Sequence, residues 1–229
     1  MASLPFDTSG SDDEVAWELY HENAKRGRKL GVRQVPRRDD DRAQQDPPSL
    51  ETIALDGGAA LSVAFDPAPG AGAGDAPPTA RDALSAILPS ALTLAAPLSI
   101  AVYLAVGEID GVPPGLYRYD GATRALILER RGDMRMELAG AVDGMASPAL
   151  ATRAVMLVGK LDDAAYQAGE RGYRDVLMAA GRVALALELA CKAGGRACRA
   201  LPVFYDREVD ALLGLDGLGE SVLAVMAID

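Results

Sequence analysis

The stretch from Tyr173 to Ala193 constrains the fold most, because its apolar residues recur at helical spacing over its whole length. Flanking apolar residues widen this face, so the pattern predicts a long helix that is buried on more than one side. Gly194-Gly195 follows it, as expected where a helix ends in a left-handed residue. The face at 3.6-residue spacing comprises Tyr173, Leu177, Ala180, Ala184, Leu187 and Cys191, and the flanking residues are Val176, Val183 and Leu185.

Short apolar runs predict strands on both sides of this helix. Residues 98–106 and 153–161 are typical of buried strands, and 115–120 with 125–130 predict a hairpin that turns at Asp120-Gly121. Two apolar runs within 50–65, around Gly57-Gly58, predict a second hairpin. Helices are predicted at 79–88, with Thr79 as N-cap, and at 206–213, and a last strand at 221–228. Because strands and helices alternate without regular βαβ units, we expect an α+β domain with a mixed, mainly antiparallel sheet flanked by helices.

Composition divides the chain into two parts. Residues 1–49 are polar apart from an amphipathic helix predicted at 15–30, whereas 50–229 has the composition of a folded domain. Within that domain, residues 66–78 form a Pro/Gly/Ala-rich loop without side chains that could build a core, so we expect it to be flexible.

Charge and composition exclude several classes of partner. The formal net charge is −10, which disfavours nucleic acid and anionic membranes as partners. No apolar run is long enough to cross a membrane, and the first residues lack the pattern of a secretory signal, so we expect a cytoplasmic protein.

Motifs for catalysis are sparse when judged alone. His21 is the only histidine, and its polar neighbours are typical of a surface residue. Two cysteines, Cys191 and Cys198, make neither a disulfide framework nor a metal site, and Cys191 is interpreted as a small buried hydrophobe. No phosphate-binding glycine motif follows a strand.

Four blocks, in order along the chain, resemble the SagB-type dehydrogenases of the FMN-dependent nitroreductase superfamily. This resemblance implies a nitroreductase-like fold, an intertwined dimer and FMN at the subunit interface. It also implies oxidation of azolines to azoles on ribosomally made peptides, beside a cyclodehydratase, with a flavin that accepts hydride while a base removes a proton. The blocks are YHENAK (20–25), GVPPGLYRYDGATRALILERRGD (111–133), GERGYRDVLMAAGR (169–182) and DREVDALLGLDGLGES (206–221).

The residues that the family uses to hold FMN are only partly present. Its arginine-rich phosphate motif is similar to 59–65, where Ser62 is kept but Ala60, Leu61 and Ala64 replace the arginines. Its Pro-Ser-x-Gly turn corresponds to 89–92, which keeps Pro89 and Ser90. Arg174 lies in the best-matched block. The cofactor-binding residues implied by the resemblance are therefore Ser62, Pro89, Ser90 and Arg174.

The catalytic positions have diverged further. Gln167 and Ala168 occupy the places of the family's Lys-Tyr pair, so no catalytic residue is assigned. On the long helix, Leu185 and Ala186 replace a Gln-Asn pair that reaches towards the flavin. The residues that build the family's fold are thus retained, whereas most of those that hold and use its cofactor are not. This pattern favours a non-catalytic or half-site subunit that pairs with an intact nitroreductase-like paralogue.

Two alternatives remain open at this stage. One is a stand-alone FMN oxidoreductase with a rearranged site, and the other is a homodimer that binds a peptide or an apolar ligand without redox activity. In the first alternative the missing phosphate contacts come from one of five arginines, Arg171, Arg174, Arg182, Arg196 or Arg199, whose ordinary interpretation is solvated surface charge.

Overall fold

The computed structural model describes residues 51–55, 80–95, 99–109, 111–142, 153–169, 171–201 and 203–228. The predicted helix at 15–30 with His21, the loop at 66–78, and Ser62 lie outside these residues. Only the start of the predicted 50–65 hairpin is described. The division into 1–49 and 50–229 therefore stays a prediction.

One sheet of seven strands organises the described residues, in the order β1-β4-β3-β2-β5-β7-β6. Every described strand pairing is antiparallel, which confirms the predicted α+β class. The inner strand β5, between β2 and β7, is buried on both faces, which explains its continuous apolar run. The strands are β1 (Thr52–Ala54), β2 (Ile100–Val106), β3 (Gly115–Asp120), β4 (Ala125–Arg131), β5 (Arg153–Lys160), β6 (Cys198–Leu201) and β7 (Glu220–Ile228).

Helices cover both faces of the sheet. One core joins α1 and α4 to one face, through Leu84 and Leu187 among others, and a second joins α2 and α5 to the other, through Leu138 and Val209. The helices are α1 (Ala80–Ala95), α2 (Arg135–Gly140), α3 (Leu161–Ala168), α4 (Arg171–Ala193) and α5 (Asp206–Leu213). Within the described ranges, no helix combines the length and hydropathy needed to cross a membrane.

The predicted hairpin at 115–130 is confirmed as β3 and β4. Asp120 holds its turn, because Oδ1 accepts a hydrogen bond from the Ala122 N–H at 3.0 Å and Oδ2 accepts one from Thr123 Oγ1 at 2.6 Å. Arg124 closes the turn in the left-handed region, with φ of 53°.

The first helix is longer than its predicted range of 79–88, because α1 continues through Pro89 to Ala95. A proline inside a helix removes one backbone hydrogen bond, at a cost of about 3 kcal/mol. Apolar residues nevertheless continue past it on the same face, since Leu84, Leu88 and Ala91 are each fully buried. Burial of that face offsets the lost bond, so the expected turn at Pro89-Ser90 is helical.

Burial along α4 corrects the predicted face of the long helix. Val176, Val183 and Leu187 are buried as expected, but Leu177 is 42% exposed and Leu185 is 57% exposed. The helix is therefore buried along one side in the single chain, and its other side carries uncovered leucines.

Candidate cofactor and partner site

Arg174 lies near the beginning of α4, and one nitrogen of its guanidinium group, Nη2, is buried without a hydrogen-bond partner in the described part of the chain. A buried donor left unsatisfied costs about 1–3 kcal/mol, so an oxygen from a ligand or another subunit would relieve that cost. This geometry makes Arg174 a candidate to hold an anion.

The close contact of α3 with α4 depends on a glycine in the same Arg-Gly-Tyr-Arg segment. A Cβ at Gly172 would overlap the backbone carbonyl of Ala164 in α3. This segment resembles the SagB-type family, and the glycine at position 172 is explained by packing alone, whatever the role of Arg174.

The other predicted residues lie around this helix pair. Pro89 and Ser90 are half-buried in α1, which packs against α4, so they share a layer with Arg174. Gln167 is exposed and Ala168 is half-buried at the end of α3, where Gly169 turns the chain into α4 with φ of 62°. The structure thus places these positions around the α3–α4 corner and the α1–α4 layer.

The two positions that correspond to the family's Gln-Asn pair differ in environment. Leu185 points to the exposed side of α4, whereas Ala186 is 6% exposed and packs in the core with α1 and the sheet. Neither side chain can donate or accept a hydrogen bond.

The exposed side of α4 carries three large apolar side chains beside charged ones. Leu177, Met178, Gly181 and Leu185 follow one another at spacings of one, three and four residues, which places them on one face. Met178 is 54% exposed, and a Cβ at Gly181 would meet no atom within 4 Å. We call these four residues the α4 stripe.

Of the four remaining arginines of the α4 region, two are exposed and two, Arg171 and Arg196, are half-buried. Arg182 and Arg199 are exposed, and Arg171 Nε lies 4.0 Å from Asp175 Oδ1 one turn further along α4. These positions fit the ordinary interpretation of solvated charge.

A cavity of about 730 Å³ opens between α5 and the beginning of β7. Tyr173 and Leu161 form one wall and Asp210, Ser221 and residues of the α5–β7 turn form the other. No pattern in the sequence predicts this cavity. Its only signal is an aspartate next to Val209 on the buried side of α5.

Asp210 fixes the wall of this cavity from a buried position, with 5% of its surface exposed. Its Oδ1 accepts a hydrogen bond from the Val222 N–H at 2.7 Å, and its Oδ2 accepts one from Ser221 Oγ at 2.9 Å. Burial raises the pKa of the Asp210 carboxyl, and these two hydrogen bonds oppose that shift. The carboxylate therefore ties α5 to the first residues of β7.

The described residues contain no group of three or more His, Cys, Asp or Glu side chains placed to hold an ion. Cys191 is fully buried, as its interpretation as a small hydrophobe requires, and neither cysteine is in a disulfide.

Comparison with known proteins gives matches among solved structures only. No protein-family model matches the sequence, and no curated protein matches it. A protein from Anabaena variabilis assigned as a nitroreductase superposes with a TM-score of 0.58 at 24% identity, over 65% of this chain and 33% of its own. The chain has a nitroreductase-like fold.

A second structure extends the likeness along nearly the whole chain. It is a chain of the E. coli microcin synthetase McbBCD complex, solved with truncated pro-MccB17 bound, and it superposes with a TM-score of 0.50 at 16% identity. That match covers 98% of this chain and 83% of the other, whereas the Anabaena match spans only about one third of that protein. At such identities the likeness establishes the fold and not the activity.

Proposed function

We propose that this chain is a subunit of an FMN-dependent nitroreductase-like dehydrogenase that oxidises a ribosomally made peptide, by azoline-to-azole oxidation or a related reaction. In this proposal it is the non-catalytic or half-site partner of an intact nitroreductase-like paralogue, beside a cyclodehydratase in the cytoplasm. The observation that carries the proposal is the α4 stripe.

The α4 stripe has the properties of a surface covered by another subunit. Three large apolar side chains, Leu177, Met178 and Leu185, are 42–57% exposed on one face of a helix whose opposite face is core. Each Å² of apolar surface removed from water contributes about 25 cal/mol, so a second helix laid here would gain substantially. Gly181 leaves room for the close approach of such a helix.

The divergence at Leu185 fits the same explanation. A leucine at an exposed position gains nothing in a monomer, where the polar residue of the resembled family would be better solvated. Under another subunit, by contrast, leucine is the favourable residue. The leucine at position 185, in place of the family's polar residue, and the apolar surface around it thus have the same physical explanation.

The described residues fit FMN at one contact only. Arg174 offers a buried donor for a phosphate oxygen, whereas Gln167, Ala168 and Leu185 offer neither a proton-transfer group nor a hydrogen bond to the flavin ring. Bound flavin would accept hydride from the substrate. In the proposed complex the intact paralogue therefore supplies the base and the ring contacts, and this chain supplies a wall of the shared site.

The buried Nη2 of Arg174 favours a second candidate, a stand-alone FMN oxidoreductase with a rearranged site. In that case Arg174 replaces the missing phosphate arginines within a homodimer. The visible spectrum of the chain purified alone distinguishes the two candidates: a colourless protein supports the half-site subunit, and a stoichiometric bound flavin supports the stand-alone enzyme.

Co-expression with a neighbouring nitroreductase-like protein tests the subunit proposal directly. We expect the two chains to copurify in a fixed ratio, and Leu185→Glu to abolish copurification by placing a charge in the interface. Met136→Glu is the matched control, because Met136 is 81% exposed on α2 and away from the stripe. Failure of the wild-type pair to associate, or equal effects of both variants, would contradict the proposal.

Flavin content of that complex tests the role of Arg174. We expect Arg174→Gln to lower the flavin occupancy, since it removes the charge that holds a phosphate. Arg182→Gln, which changes an exposed arginine on the same helix, should leave occupancy unchanged. Unchanged occupancy in Arg174→Gln would remove this residue from the site.

A further inference from the structure

The cavity between α5 and β7 has the size of a ligand-binding site, and no step of the proposed peptide oxidation uses it. Its volume of about 730 Å³ lies within the range of about 300–1,000 Å³ that is usual for sites of small ligands. Its lining is partly charged and partly apolar, and the apolar part consists of Leu161, Tyr173, Leu215, Leu218 and Leu223. Such a mixed lining suits a ligand that has an apolar body and at least one polar group.

The charge on this lining favours a cation. Of the charged residues that line the cavity, three are acidic, namely Asp206, Asp210 and Asp216, and Arg207 is basic. An excess of negative charge in a concave site attracts cations and repels anions. The cavity is therefore poorly suited to a phosphate, which separates its chemistry from the anion-binding role proposed for Arg174.

Asp206 and Asp210 present carboxylates that differ in burial. They lie one turn apart on α5, so they share one face of the helix. Asp206 is exposed at the beginning of the helix, whereas Asp210 is 5% exposed. A ligand that enters the cavity thus meets one carboxylate that is in contact with water and one that is shielded from it.

Asp210 can accept more hydrogen bonds than the described residues give it. An ionised carboxylate has about four acceptor positions, and Asp210 uses one for the Val222 N–H and one for Ser221 Oγ. The turn residue Gly217, which also lines the cavity, adds no side chain beside Asp210 Oδ2, although a Cβ there would lie only 3.1 Å from this oxygen. A charged donor in the cavity can therefore reach a carboxylate with spare acceptor capacity, and charge-assisted hydrogen bonds of this kind are short and strong.

We propose that this cavity binds an organic cation with an apolar body, whose ammonium or guanidinium group donates hydrogen bonds to Asp210 and Asp206. The apolar body packs against the leucines of the lining, and the ring of Tyr173 suits either part, because an aromatic face attracts cations as well as apolar groups. Two sources carry this chemistry, a free amine and a basic peptide segment with apolar neighbours. The site is independent of the proposed peptide oxidation, because it uses neither a flavin nor a second subunit.

Titration of the full-length chain, followed by its backbone amide NMR signals, tests the site and separates the two sources. The probes are phenethylamine and the capped peptide acetyl-Leu-Arg-Leu-amide, and their uncharged controls are phenethyl alcohol and acetyl-Leu-Gln-Leu-amide. We expect saturable shifts within residues 206–223 with at least one cationic probe and none with its control. A response to phenethylamine alone assigns a free amine, and a response to the peptide assigns a peptide segment. No saturable shift with either cationic probe, or equal shifts with the uncharged controls, would overturn the proposal.

Substitutions in the lining locate the bound cation. Asp210→Asn removes the buried charge but can keep both hydrogen bonds, so the affinity for the responding probe should fall about tenfold or more. Asp206→Asn should also weaken binding, whereas Glu208→Gln, an exposed change on the same helix outside the cavity, should leave it unchanged. Ala211→Phe adds a ring to the lining and should abolish binding, and Ala193→Phe, exposed on α4 outside the cavity, is its control. Equal weakening by the Asp206 and Glu208 variants would reduce the effect to the net charge of the chain and refute the site.

Discussion

Replacing Asp210 by alanine should destabilise the domain by about 1–2 kcal/mol at neutral pH. The change leaves the Val222 N–H without an acceptor in a residue that is 1% exposed, which alone costs about 1–3 kcal/mol. Ser221 Oγ is half-buried and regains water, so its loss adds little. Removal of a desolvated carboxylate offsets part of the cost, which places the net effect in the lower half of the range.

Asp210→Asn is the matched control. Its amide oxygen still accepts from the Val222 N–H and its amide nitrogen can donate to Ser221 Oγ, so we expect a loss below about 1 kcal/mol. Urea unfolding of both variants and the wild type, with equal m-values, measures the difference. If the alanine variant is as stable as the asparagine variant, the hydrogen bond to Val222 does not hold α5 to β7.

The pH dependence of stability, compared between the wild type and Asp210→Ala, is a further test, and its direction can be predicted. Because burial raises the pKa of Asp210 above the ordinary value of 3.8, the folded state holds the proton more tightly than the unfolded state. The stability of the wild type relative to Asp210→Ala should therefore be greatest below that ordinary value and decrease as pH rises through the folded pKa. A difference that grows with pH across this window would refute the assigned environment.

Three further predictions follow from other contacts. Gly172→Ala should destabilise the chain by about 1–3 kcal/mol in urea unfolding, because its Cβ overlaps the rigid Ala164 carbonyl. Gly181→Ala, on the same helix with open space around its Cβ, should instead stabilise the isolated chain by about 0.5–1 kcal/mol, and destabilisation there would contradict the exposed position. Tyr117→Phe should lower thermal stability by about 1 kcal/mol, since the buried phenol donates to the Pro113 carbonyl at 2.6 Å; an unchanged melting temperature would show that this bond contributes nothing.

Periodicity predicted the elements whose burial pattern is simple. The strands at 100–106, 115–120, 125–131 and 153–160 and the helix at 171–193 were found because their apolar residues face a core on one or both sides. Short elements were missed: β6 has four residues with an exposed arginine in the middle, and α2 and α3 have six and eight residues. Such elements depend on neighbours that are distant in sequence, and no local pattern reports them.

The candidate site was less predictable than the fold, because it depends on contacts between residues that are distant in the sequence. Ser62 lies outside the described residues, and the roles of Pro89, Ser90 and Arg174 remain predictions, although the structure adds the buried donor on Arg174. The cavity beside Asp210 depends on the packing of α5 against β7, and it leaves no spacing in the sequence that a motif could capture.

The most informative error of the sequence-based predictions concerns the exposed side of α4. Leu177 and Leu185 were predicted to be buried because they are apolar at helical spacing, and within one chain they are exposed. Hydrophobic periodicity reports burial in the functional assembly and does not distinguish a core within a chain from an interface between chains. The exposed leucines of α4 are therefore the feature on which the proposed pairing with another subunit depends.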